Sequence, residues 1–448
     1  MRAQHYEAAL IDACMNKDAT AEVAAKVSPS DFSRQFREIY EVILSLFNRG
    51  LRPDVISVLE ECERAQIEGF RDTFINSVLE IPGNSREVDT HCRELKRLAT
   101  GRKLKELAIE INYWASEEDP DTAYEKASAA IMSVKSQADD QSMRPLTEIL
   151  KNTYREIKEQ FENPKSFNGL STGYEDLDAR WNGLKPQNLI YIAGRPAMGK
   201  TTLAMNIAEY NARQLKTVLV FSMEMSHDEL SRKMISSATR LSFTRLSTGK
   251  LYGEDWNKLE AADNLLNGAP MYVDERGGLS VAQIRARCYQ IKSKGALDLV
   301  VIDYIQLMRG EGQSREQEIG GISRQLKEIA KELNVPVIAI SQLNRKCEER
   351  PNKRPVLSDL RDSGSLEQDA NIIAFVYRDE IYNDEDDQMK GIAEIITRKF
   401  RGGKVGTDVL GWAGDYQRFD NLEHRPDVEA IAERQASQKY GGKGKREF

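Results

Sequence analysis

Five short apolar runs constrain the fold of this chain more than any other feature: NLIYIAG at 188–194, TVLVFSM at 217–223, LDLVVID at 297–303, VPVIAIS at 335–341 and NIIAFVY at 371–377. Each has the length of a strand and is apolar on both of its faces. A strand of that kind must be covered on both sides, which parallel sheets achieve through crossover helices. The segments between the runs carry helical spacing, so this half is predicted to be an α/β domain: a mainly parallel sheet flanked by helices. Two further runs, IAEIITRKF at 392–400 and VGTDVLGW at 405–412, predict a terminal hairpin.

The first run leads directly into Gly194-Arg195-Pro196-Ala197-Met198-Gly199-Lys200-Thr201-Thr202, which satisfies GxxxxGK[ST] and continues as a helical segment. Glycines let backbone N–H groups curl around phosphates, a lysine reaches the β and γ oxygens, and a hydroxyl at the Thr201 position suits Mg²⁺. A strand before and a helix after this motif argue for nucleotide binding over a structural glycine turn. Asp303 ends the LDLVVID run, where a carboxylate can hold Mg²⁺ through water. Glu224 follows TVLVFSM at the same sheet edge; it is either a base for the attacking water or a surface glutamate paired with a lysine. Gln342 follows VPVIAIS, placed to sense a γ-phosphate through its amide. The next segment holds Arg345, Lys346, Arg350, Lys353, Arg354 and Arg361. Such a run is usually a solvated loop, yet its place directly after Gln342 favours a nucleotide-coupled contact with DNA phosphates, and no aromatic residue interleaves it for base stacking.

The first 137 residues have few glycines and apolar spacings of three and four, which predict an all-α N-terminal domain. Phe32, Phe36, Ile39, Tyr40, Ile43 and Phe47 form one stripe, closed by Arg49-Gly50. Leu104, Leu107, Ile111 and Trp114 form a heptad seam, and Pro120 breaks it before Ala123, Ala127, Ile131 and Val134, predicting a helical hairpin over about 99–137. Pattern alone does not separate a core from a self-association surface there. Residues 138–164 read as a linker holding one amphipathic helix, with Leu146, Ile149, Leu150, Tyr154, Ile157 and Phe161 on its apolar face. That face docks on its own domain or on a neighbouring subunit. Residues 165–424 form the α/β domain, and 425–448, a basic tail without apolar pattern, are expected to be disordered.

Composition excludes several classes. The 64 basic and 71 acidic residues leave a net charge of −7, so any attraction to nucleic acid must be local. Five scattered cysteines and four histidines offer no zinc spacing and suggest reduced, structural thiols. No run approaches the roughly 20 apolar residues of a membrane span, which points to the cytoplasm.

The stretches GRPAMGKT, FSMEMS, VVIDYIQLM, AISQLNR, LSDLRDSGSLEQDANIIAFVYRD and RKFRGGKVGT, with FSRQFREIYEVILSLFNRG near the start, together resemble the DnaB-type replicative DNA helicases of bacteria and their phages. The resemblance covers most of the chain. It implies a homo-hexameric ring with a helical N-terminal collar, a linker helix docked on the adjacent subunit, and a RecA-like P-loop ATPase motor with ATP and Mg²⁺ between subunits. It further implies 5′ to 3′ translocation on single-stranded DNA and unwinding at the replication fork, with a primase and a helicase loader as partners, in the cytoplasm of a bacterial or phage-infected cell. In that scheme Lys200 and Thr201 bind phosphates and Mg²⁺, Glu224 is the catalytic base, Asp303 the Mg²⁺-associated acid and Gln342 the sensor. Arg401 matches the arginine finger, with Lys399 beside it, and Arg361, Asp362 and Gly364 match the loop that contacts the DNA backbone. A RecA-like recombinase shares the core, but has no need for a collar. A nucleotide-gated loader or adaptor ATPase need not keep both a base and a finger.

Overall fold

The computed structural model describes residues 2–16, 19–67, 69–73, 78, 87–120, 122–124, 126–127, 130–131, 134, 146–162, 169–360, 364–383 and 389–423. The chain divides into two compact units, 1–149 and 150–448.

The first unit is helical, with helices at Arg2–Asn16, Thr20–Ala24, Arg34–Asn48, Val55–Arg64, Phe70–Thr73 and Val88–Glu117. Its core joins Leu10, Ile11 and Met15 to the predicted stripe Phe36, Ile39, Tyr40 and Ile43, with the Phe32 ring stacked on Tyr40. Phe47 departs from that stripe and is 40% exposed, and Gly50 at φ 74° ends the helix as predicted. Glu7 is fully buried, and its carboxylate accepts from the Ser33 N–H at 2.7 Å and the Ser33 hydroxyl at 2.8 Å. Arg102 also faces it at 3.4 Å, so one satisfied buried charge ties three segments together. The predicted hairpin differs in where it begins. Its first arm is the tail of the 30-residue helix Val88–Glu117, because Val88, Cys92, Leu95 and Ala99 extend the buried stripe backwards. Of the seam residues Leu107 is buried and Leu104 is 46% exposed. The described residues after Pro120 are helical, and Lys126 pairs with Glu118 at 2.5 Å across the break.

The second unit is built on a nine-stranded sheet. The strands are β1 (Leu189–Gly194), β2 (Val218–Ser222), β3 (Met271–Asp274), β4 (Leu299–Asp303), β5 (Val337–Gln342), β6 (Ile372–Tyr377), β7 (Ile392–Phe400), β8 (Gly406–Ala413) and β9 (Arg418–Asp420). Their order is β3-β2-β4-β5-β1-β6-β7-β8-β9, with the pairs from β3 to β6 parallel and those from β6 to β9 antiparallel. All five predicted core runs are strands, and both predicted hairpin runs are β7 and β8. Successive residues of β1 point to opposite cores: Tyr191 and Ala193 pack with helices Val281–Lys294 and Arg315–Leu333, while Ile190 and Ile192 pack with helices Glu175–Trp181 and Lys200–Arg213. This double coverage is why β1, β2, β4 and β6 are buried at every position. All five cysteines are free and buried, in keeping with structural thiols.

Helix Leu146–Glu162 carries the predicted amphipathic pattern, and its apolar side chains remain exposed: Leu146 by 68%, Tyr154 by 66% and Phe161 by 84%. Residues 138–145, the start of the expected linker, and 425–448, the expected tail, lie outside the described residues.

Candidate nucleotide site

In a parallel sheet the loops at the carboxyl ends of the strands share one edge, and the register brings the predicted site residues there. Gly194 pairs with Gln342, and Ser222 with Asp303. The loop after β1 turns through left-handed conformations at Ala197 (φ 64°) and Gly199 (φ 96°) before Lys200 opens its helix. At Gly199 a side chain would also meet the Phe419 ring at 2.8 Å, so conformation and packing both require glycine. Within the loop Met198 is buried, Pro196 and Ala197 are exposed, and Thr202 is buried behind the first helical turn.

Lys200 Nζ donates to the Arg195 carbonyl at 3.0 Å. Burial lowers its pKa below the usual lysine range, against the pull of the Asp303 and Glu224 charges. Asp303 is 2% exposed, and neither carboxylate oxygen has a hydrogen-bond partner of good geometry. Burial raises its pKa from 3.8 to about 6; the Thr201 hydroxyl lowers it, Glu224 adds to the rise, and Lys200 opposes it. A buried carboxylate with unsatisfied oxygens, beside a hydroxyl, supplies oxygen donors that fit a hard divalent cation. Among the described residues no three His, Cys, Asp or Glu side chains cluster as a metal cage, so phosphate oxygens and water would have to complete the shell. Glu224 is exposed in the turn after β2, on the same edge.

Several neighbours escaped the sequence reading because they are distant along the chain. Gln306 donates from Nε2 to Ser341 Oγ at 2.9 Å and accepts from the Gln342 N–H at 3.4 Å, tying the loop after β4 to the end of β5. Arg378 donates to the Ala197 carbonyl at 3.2 Å while its guanidinium lies 4.5 Å from the Trp412 ring centre. Gln306 falls within the stretch VVIDYIQLM, so a signal for it was present in the sequence.

Lys399 and Arg401 lie elsewhere. Residue 400 of β7 pairs with residue 372 of β6, and the Arg401 N–H donates to the Asn371 carbonyl at 2.9 Å, which puts both cations at the amino end of the parallel strands. Six strand residues at about 3.3 Å each place them roughly 20 Å from the phosphate loop of their own subunit. Both side chains donate to the last carbonyls of helix Gly364–Asp369, Lys399 to Glu367 and Arg401 to Gln368. Gly364, predicted in the DNA loop, begins that helix; Arg361 and Asp362 lie outside the described residues. The helix passes so close to Gly320 that a Cβ there would meet Ser365 Oγ at 2.7 Å.

The basic segment after β5 is sorted by the structure. Arg345 and Lys346 are exposed at the edge that carries the phosphate loop. Arg350 instead forks onto Asp359 at 2.7 and 2.6 Å, and Arg354 onto the buried Glu394 at 2.8 and 2.6 Å. These two arginines hold the segment in place.

Comparison with known proteins decides the family. Residues 169–421 match the model of the DnaB-like helicase C terminal domain, and residues 2–97 that of the N terminal domain. This chain belongs to the DnaB-like helicase family. It is 37% identical over 412 residues to the replicative DNA helicase DnaB of Geobacillus stearothermophilus, covering 90% of each chain. It is 35% identical over 431 residues to the replicative DNA helicase DnaC of Bacillus subtilis (strain 168), covering 94% of this chain and 95% of the other. Among solved structures, a DnaB-like replicative helicase studied with its primase interactions superposes with a TM-score of 0.70 at 30% identity, over 94% of this chain and all of that one. A second solved structure, of an isolated ATPase domain, superposes with a TM-score of 0.60 at 38% identity over 64% of this chain and all of that domain. A DnaB-like ATPase domain implies use of a nucleotide, for which the edge described above is the candidate site.

Proposed function

We propose that this DnaB-like helicase is an ATP-driven replicative DNA helicase that works as a homo-hexameric ring, moving 5′ to 3′ on single-stranded DNA and unwinding duplex ahead of it. The observation that carries the reading is the separation of its cations. Lys200 and Asp303 stand at one end of the sheet, while Arg401 and Lys399 stand roughly 20 Å away at the other, out of reach of their own phosphate loop. A finger at that distance serves a neighbour. ATP then lies between subunits, with Lys200 on the β and γ oxygens and backbone N–H groups of residues 197–199 around them. Asp303 and Thr201 would hold Mg²⁺, which supplies charge neutralisation at the phosphates when bound. Glu224, exposed on that edge, takes the proton of the attacking water, and Gln342 reports the γ-phosphate.

Arg345 and Lys346, at the sheet edge that carries the phosphate loop, and the Arg361, Asp362 and Gly364 loop grip the DNA backbone. The exposed face of Leu146–Glu162 is the docking element for an adjacent subunit, residues 1–137 form the collar, 165–424 the motor and 425–448 a tail. A primase and a loader are the expected partners; the name of one structural neighbour records primase interactions for that protein. No helix among the described residues is long and apolar enough to cross a membrane. A recombinase or a non-hydrolysing loader accounts less well for a helical N-terminal unit together with both a base and a distant finger.

The test is subunit mixing. Lys200→Ala and Arg401→Ala proteins are each expected to be inactive, and mixed rings are expected to recover hydrolysis where an intact phosphate loop faces an intact finger. Loss of a finger costs about 10³ to 10⁵ in rate. Mixed rings shown to form but without recovered hydrolysis would end the trans assignment, and preferential unwinding of forks with a 3′ tail would overturn the polarity.

A further inference from the structure

The GxxxxGK[ST] pattern leaves its second position free, yet here it holds an arginine with a defined set of partners. Arg195 is 11% exposed at its side chain, and its guanidinium is engaged by residues after β5. Its Nε and Nη2 fork onto the Glu348 carboxylate at 2.9 and 3.3 Å, and its Nη1 donates to the Leu343 carbonyl at 3.0 Å. The Tyr382 hydroxyl donates to the same carboxylate at 3.1 Å, and Arg195 holds the Glu348 pKa below the usual carboxylate range. Glu348 belongs to the short helical turn Arg345–Glu349, which begins with the exposed Arg345 and Lys346. Leu343 directly follows Gln342. The backbone of Arg195, finally, is the acceptor for Lys200 Nζ.

We propose that the Arg195–Glu348 pair transmits nucleotide occupancy from the phosphate loop to the DNA-gripping turn at 345–349, as a positioning device within one subunit. Phosphate oxygens arriving in the loop take the Lys200 ammonium away from the Arg195 carbonyl, and the loop re-forms around the new charge. The guanidinium is planar and held by three hydrogen bonds, so it moves with the loop as a unit. Glu348 follows it, because separating a part-buried ion pair leaves each charge without its partner. The turn then re-aims Arg345 and Lys346. Coupling of this kind is reciprocal, so DNA held by those two residues must tighten ATP by the same factor. The inference rests on the reading that Arg345 and Lys346 contact DNA.

The experiment uses the full-length assembled protein and oligo-dT, with affinity measured by fluorescence anisotropy in a non-hydrolysable ATP analogue and in ADP. The parent is expected to show a ratio between the two states within the usual range of about 5- to 150-fold. Glu348→Gln keeps the shape of the side chain and is expected to retain DNA-independent hydrolysis while its ratio collapses toward one and stimulation by DNA is lost. Arg345→Ala with Lys346→Ala is the control for the DNA reading and is expected to weaken binding in both states. A parent-like ratio in Glu348→Gln, or equal weakening in both nucleotide states, would overturn the transmission role while the control variant still upheld the DNA contact. An unaltered affinity in the control variant would remove the DNA contact and the inference with it.

Discussion

Asp303 sits in an environment at odds with its ordinary charged state. Burial raises its pKa to about 6, so between its ordinary value near 3.8 and pH 6 the folded chain holds a proton that the unfolded chain has released. The stability of the free protein therefore falls as pH rises through that window, by up to about 3 kcal/mol from this one group. Asp303→Asn removes the buried charge, and its melting temperature without nucleotide or Mg²⁺ is expected to exceed the parent's increasingly from pH 4 to 6 and to stay above it at pH 8. A constant difference across that range would contradict the assignment of the shift to Asp303. The same variant is expected to lose hydrolysis. Glu224 presents the opposite case, since it is exposed and the fold does not depend on it. Glu224→Gln is expected to melt like the parent and bind ATP, yet hydrolyse it about 10² to 10⁴-fold more slowly; full turnover would return Glu224 to the status of a surface glutamate. The legible residues, Lys200, Thr201 and Asp303, belong to local patterns of strand, loop and helix. Arg378 and Trp412 were not legible as site residues because what recruits them is contact across long stretches of chain.

At the scale of elements, the five core strands could be read because burial on both faces leaves a continuous apolar run. β3 and β9 could not. The run MYVD lies at the sheet edge with Tyr272 45% exposed, and RFD has only three residues, so neither leaves such a signature. The long helix Val88–Glu117 began earlier than the seam suggested, since the stripe that starts it belongs to the globular core and the one that ends it does not. The basic segment shows the limit of charge counting. Arg354 looks like its neighbours in sequence, but its fork onto Glu394, which is 2% exposed at its side chain, fastens the segment to β7. Arg354→Met leaves Glu394 buried without its partner and is expected to cost about 3 to 5 kcal/mol. Burial already raises the Glu394 pKa, so the loss is expected to be larger at pH 8 than at pH 5, where the stranded carboxyl can take up a proton. Denaturant melts at the two pH values measure it, and equal losses would point to packing instead of charge.

On the scale of the whole molecule, the strand order decides what the site is. No single-strand pattern states that β1 lies between β5 and β6, or that β7 runs back antiparallel and so delivers Arg401 to the far end. If the finger acts across subunits, specific activity must depend on concentration. Dilution below the assembly threshold is expected to abolish hydrolysis per subunit although each chain stays folded, as circular dichroism would verify; activity proportional to chain number at every dilution would argue for a self-sufficient subunit.

If Arg401 serves a neighbour, the two ends of the sheet also fix an arithmetic of assembly. Each chain would then offer one phosphate half-site and one cationic half-site, facing different neighbours, so contacts would run head to tail and a two-fold pair would not be their natural product. A lone chain has no whole site, an open row of n chains has n − 1, and only a closed circle has as many as it has members. Opening a circle of six at one junction to admit a strand of DNA would therefore idle about one site in six and leave the others competent.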